Sequence, residues 1–99
     1  KGTTIDCSNM DITRLEYIPD GIKRLYCYDN KLTELPKLPE GLVDLWCYNN
    51  KLTSIPKLPE SLISLWCYEN NLPYKVTIEN FKEHNTLLKR KEILKRICG

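Results

Sequence analysis

Four thiols pose the first chemical question. Cys7, Cys27, Cys47 and Cys67 stand twenty positions apart, and several thiols in one chain raise metal binding, disulfide pairing or nucleophilic attack. The spacing argues against a metal. Zinc sites are usually built from ligand pairs about two to four residues apart, whereas each of these cysteines comes from a different stretch of chain. Plain packing is the expectation, since a free Cys behaves as a small buried hydrophobe. The only histidine, His84, has no Cys or Ser beside it and no carboxylate pair at catalytic spacing. It is expected in solvent, in a loop. The sequence has no Gly-rich phosphate loop, metalloprotease motif or nucleophile elbow. Neither catalysis nor a cofactor is expected.

The aromatic residues point to recognition instead. Near-identical words surround three of the cysteines: LYCYDNKLTELPKLPE from Leu25, LWCYNNKLTSIPKLPE from Leu45 and LWCYENNLP from Leu65. In each, an aromatic residue stands on either side of the thiol. These are Tyr26 and Tyr28, Trp46 and Tyr48, Trp66 and Tyr68. Leu25 and Cys27 alternate with Tyr26 and Tyr28, the period-two pattern of a short strand with one buried face. If strands stack in register, equivalent positions form columns about 4.8 Å apart. One outward column then holds Asp6, Tyr26, Trp46 and Trp66, and the second holds Ser8, Tyr28, Tyr48 and Tyr68. Large aromatics on an exposed face are the residues that most often dominate binding energy. The candidate partner-binding residues are therefore these six rings, with Arg24, Asp44, Asn49 and Glu69 among the polar rim that also holds Asp29 and Ser64. The mixed charge of that rim favours a protein or peptide over a polyanion. A sugar polymer is the main rival ligand, and single-stranded nucleic acid is weaker, because it calls for basic residues among the rings. A purely structural role, with the rings stacking only on one another, is the alternative of a different class.

A twenty-residue period also dictates the architecture that must hold these residues. A unit this short cannot bury its own apolar face and has to stack on copies of itself, giving a repeat solenoid. Within a unit, Asn30 ends the strand, and its amide suits the backbone groups left open by the turn. Pro36 and Pro39 then impose an extended, polyproline-like return. The pattern LxxLxCxxNxLxxLPxLP resembles the shortest class of leucine-rich repeat, as found in bacterial type III effectors and in giant DNA viruses of amoebae, with the Cys-containing variant closest to the viral proteins. The resemblance covers about residues 3–75. It implies a curved stack with short parallel β-strands on the concave face, extended returns on the convex side, and protein binding rather than chemistry. The first unit departs from the pattern, with Met10 in the place of Asn30 and Glu16 in the place of the first proline.

The two ends read differently. Nothing before Ile5 resembles a cap, so the first strand, about Thr3 to Cys7, is expected to leave an open edge. Either upstream repeats are missing or this edge supports self-association. Lys1 is not an initiator Met and follows no signal segment, so a piece of a longer chain is expected. Residues 1–72 hold 8 Lys/Arg and 10 Asp/Glu, whereas residues 73–99 hold 7 Lys/Arg and 3 Asp/Glu. This charge shift separates the repeats (1–75) from a helical C-terminal cap (76–99). Thr77 is expected to cap a short helix with Ile78 and Phe81. A second helix is expected from about Asn85 or Thr86 to Ile97, closing the core with the arc Leu87, Ile93, Leu94 and Ile97. No run is apolar enough for a membrane span. Buried free thiols suit a reducing compartment, so a cytoplasmic setting is expected, in the host cell if the chain is viral or effector-derived. Cys98 is expected to be the exposed thiol.

Overall fold

The computed structural model describes residues 2–98 of the chain. Four short strands, β1 (Thr4–Asp6), β2 (Arg24–Tyr26), β3 (Asp44–Trp46) and β4 (Ser64–Trp66), precede one helix, α1 (Phe81–Cys98). The strands form a single parallel sheet in the order β1-β2-β3-β4. Register is held at the sequence period, pairing Ile5 with Leu25, Leu25 with Leu45 and Leu45 with Leu65. The ladder extends beyond the strands, with Cys27 N–H donating to Trp46 O and Asp29 N–H to Tyr48 O.

The alternation predicts which residues enter the core. Leu25, Cys27, Leu45 and Cys47 are fully buried, and Leu65 and Cys67 nearly so. Leu32, Leu42, Leu52 and Leu58 complete the interior from the returns. No residue of the two proline-bearing returns, 31–39 and 51–59, is helical. At the β1 end, Ile5, Cys7, Ile12 and Leu15 pack on the core but stay partly exposed.

Asparagine holds consecutive units together. Asn50 Nδ2 donates to Cys27 O at 3.0 Å, Cys47 O at 3.1 Å and Tyr48 O at 3.3 Å, while its Oδ1 accepts from Leu32 N–H at 3.0 Å. Asn30 and Asn70 repeat this pattern one unit earlier and one unit later. Each amide thus spans two units, satisfying backbone groups that neither strand nor return can reach. The residue before each of these asparagines has a left-handed backbone: Asp29 (φ 56°), Asn49 (φ 57°) and Glu69 (φ 57°). Asp and Asn tolerate that conformation and Glu does so poorly. Glu69→Asn is therefore expected to stabilise the protein by about 0.5–1 kcal/mol. An unchanged urea midpoint would contradict this.

The C-terminal element differs from its sequence expectation. Among the described residues there is one helix, beginning at Phe81, and no separate short helix around Ile78. Asn80 precedes it, with its carbonyl accepting from His84 N–H at 3.2 Å and its side chain turned back to Thr77 N–H and Lys75 O. His84 is only 4% exposed, not solvated in a loop. Its Nε2 lies 2.9 Å from Ile55 O and 3.2 Å from Pro56 O. Carbonyls only accept, so Nε2 carries the proton and Nδ1 accepts from the Tyr74 hydroxyl at 2.8 Å. Asn85 pairs with both backbone groups of Leu58, each at 2.8 Å. Phe81, His84 and Asn85 thus cap the last return.

The arc assigned to core closure does not close it. Leu87 is 38% exposed, Ile93 43%, Leu94 58% and Ile97 74%. An 18-residue helix spans about 27 Å, and the last return offers docking for little more than its first turn. Residues 89–98 are exposed throughout. No helix among the described residues is long and apolar enough to cross a membrane.

Candidate functional site

The sheet face opposite the leucine and cysteine columns carries all six predicted rings. Parallel register brings them into two files. Tyr26 and Trp46 have ring centroids 4.6 Å apart and tilted by 38°, and Trp46 and Trp66 stack at 4.6 Å and 5°. Tyr28, Tyr48 and Tyr68 stack at 4.7 Å, with interplanar angles of 4° and 10°. Diagonal contacts, Tyr28–Trp46 at 6.3 Å and Tyr48–Trp66 at 6.1 Å, join the files into one slab. Asp6 and Ser8 occupy the same columns at the β1 end, where Asp6 Oδ1 accepts from both the Ser8 hydroxyl and the Ser8 N–H. These two hydrogen bonds hold the Asp6 carboxyl below the usual carboxylate range.

The geometry adds a constraint that residue spacing alone did not contain. Rings stacked this closely cover each other's faces and leave their edges to solvent. Among the described residues, the only tyrosine hydroxyl bonded within the protein is that of Tyr74. The phenols of Tyr26, Tyr28, Tyr48 and Tyr68 are thus left to bond with whatever lies above the slab. Desolvation within the file, reinforced by Tyr28, Tyr68 and Asp29, raises the Tyr48 phenol above its ordinary value.

Neighbouring polar residues are tied to one another. Arg24 and Asp44 form an ion pair at 3.2 Å along the Thr4–Arg24–Asp44–Ser64 register line. Trp46 Nε1 donates to Ser64 Oγ at 3.1 Å, fixing the indole. On the other flank, Asn49 Nδ2 donates to Asp29 Oδ1. Glu69 continues that flank as an exposed residue. The rim named from sequence therefore borders the slab, but most of it is engaged in cross-strand pairs.

The thiols line the opposite, inner face. Cys67 Sγ donates to Val76 O at 3.0 Å. Contact with Cys67, then burial, holds the Cys47 thiol well above its ordinary value. Burial pushes Cys27 up to about 12. Desolvation also raises half-buried Cys7, with a contribution from the Asp6 charge. The hydrogen bond from Cys47 lowers the Cys67 thiol instead, but its burial keeps reagent away from it. Native protein titrated with a thiol reagent at pH 8 is therefore expected to show exposed Cys98 reacting fast, half-buried Cys7 slowly, and buried Cys27, Cys47 and Cys67 only after unfolding. More than two groups reacting before unfolding would contradict the packing.

The site elements that sequence reasoning missed lie at the β4 end. A groove of about 400 Å³ runs between Leu65–Asn70 and the segment carrying Leu72, Tyr74, Val76 and Thr77. Trp66 and Tyr68 form part of its wall. The exceptional exposure of these two terminal rings followed from the end of the repeats at Pro73, and that signal was available. No protein-family model and no curated protein matches the chain.

Proposed function

We propose that this chain is a leucine-rich-repeat stack that recognises a protein or peptide partner, without catalysis, through its Tyr/Trp face. The observation carrying this reading is the six-ring slab on the open sheet face, with ring edges and four unbonded phenol hydroxyls turned outward. Ring edges and hydroxyls suit backbone carbonyls and mixed side chains. They suit stacked sugars or bases less, because those ligands need ring faces. The resemblance to viral and effector repeats and a setting in the host cytoplasm belong to the same proposal.

The stacking itself favours one rival, a structural ladder. Aromatic cross-strand pairs are worth about 0.5–1.5 kcal/mol each, enough to justify the rings without a ligand. Substituting Trp46 and Trp66 together separates the two. Loss of partner binding well beyond any loss of stability supports recognition, and loss of stability alone supports the ladder.

A further inference from the structure

We propose that the outer edge of β4 receives an extended partner segment of the pattern aromatic-x-aromatic-x-Asn, added as a fifth parallel strand. Three sets of groups, otherwise satisfied at every interior unit, are open here. Inside the sheet, Cys47 N–H donates to Trp66 O and Asn49 N–H to Tyr68 O. The corresponding Cys67 and Glu69 N–H groups have no backbone partner among the described residues. Leu32 and Leu52 N–H donate to the Asn50 and Asn70 amides of the following unit. Leu72 N–H, their counterpart, has no such amide. Cys67 is buried, Leu72 half-buried and Glu69 exposed; an added strand supplies all three N–H groups with acceptors at strand spacing.

The ring files specify the side chains. Trp46 and Tyr48 are covered on both faces by neighbouring rings. Trp66 and Tyr68 are covered on one face only and are 45% and 56% exposed. Aromatic residues two apart in the incoming segment continue both files. An Asn two positions after the second aromatic places its amide where Asn70 stands relative to β3, accepting from Leu72 N–H and donating to Cys67 O. A groove of about 400 Å³ opens along this edge, lined by Trp66, Tyr68, Leu72 and Tyr74.

A second copy of this chain is a poor occupant. The strand with an open complementary edge is β1, which presents Asp6 and Ser8 in the ring positions and Met10 in the amide position. A carboxylate and a hydroxyl cannot continue the two ring files, and a thioether cannot donate to Cys67 O as an Asn amide does. The occupant is therefore a different protein carrying the aromatic and Asn pattern. This deepens the proposed recognition role, since Trp66 and Tyr68 serve both, and it adds a backbone-reading edge to it.

The probe is a synthetic octapeptide with the sequence of residues 44–51, its cysteine replaced by serine, added to the intact chain. Amide hydrogen exchange followed by NMR is expected to slow at least tenfold at Cys67, Glu69 and Leu72 on saturation. A peptide with alanine at both aromatic positions is expected to bind at least tenfold more weakly, and one with leucine for its second Asn, the one at the Asn50 position, about fivefold. Unchanged exchange at these three amides, or protection confined to β1, would overturn the proposal. So would protection that appears without peptide as protein concentration rises, because that assigns the edge to a second copy. Failure of peptide docking leaves any effect of Trp46→Ala on partner binding untouched, so the two readings fall separately.

Discussion

Asn50→Leu is expected to destabilise the protein by about 3 kcal/mol, among the largest effects of any single substitution outside the leucine core. The volume is nearly conserved, so cavity formation contributes little. What is lost is the cross-unit bonding of Leu32 N–H, Cys27 O, Cys47 O and Tyr48 O. An orphaned buried group costs about 1–3 kcal/mol, and these four share one amide and do not sum independently. Asn50→Asp should be no milder, since a carboxylate would face three carbonyl oxygens. Asn70 makes the same contacts at the more exposed end of the stack, so Asn70→Leu is expected to cost about half as much, because water can satisfy part of what is lost. Urea denaturation of the two variants checks the gradient. Equal, small effects would mean that the asparagines do not hold the units together.

The second large effect concerns binding. Trp46 is the centre of the slab, contacting Tyr26, Tyr28 and Trp66 and donating to Ser64. Central aromatic anchors typically contribute about 2–4 kcal/mol to an interface, so the Trp46→Ala and Trp66→Ala pair is expected to weaken partner binding at least a hundredfold. Stability should fall by only about 1–3 kcal/mol, because both side chains are partly solvated and what is lost is mainly their ring contacts. That separation distinguishes a recognition face from a ladder of rings.

Much of this arrangement was legible in the residues. The alternation around Cys27, Cys47 and Cys67 sets which side chains enter the core, because a strand has a strict period of two. The Asn30, Asn50 and Asn70 positions follow from the need to satisfy backbone groups at a turn. Other features depend on contacts remote in sequence. His84 looks like a loop residue and Asn85 like a helix start until Ile55, Pro56 and Leu58 supply their partners from nearly thirty positions away. The arc Leu87–Ile97 has the periodicity of a buried helix face, but periodicity cannot report that the last return is too short to cover it. Face-to-face ring stacking likewise rests on side-chain torsions, which a column of aromatic letters does not encode.

Affinity of a protein partner, isolated on the intact chain, for that chain and for the Trp46→Ala and Trp66→Ala variant, measured beside the urea midpoint of each, is the most direct test of the proposed recognition role. A hundredfold loss of affinity with the variant still cooperatively folded is the predicted result. Undiminished binding by a folded variant would contradict it and leave the rings a structural ladder.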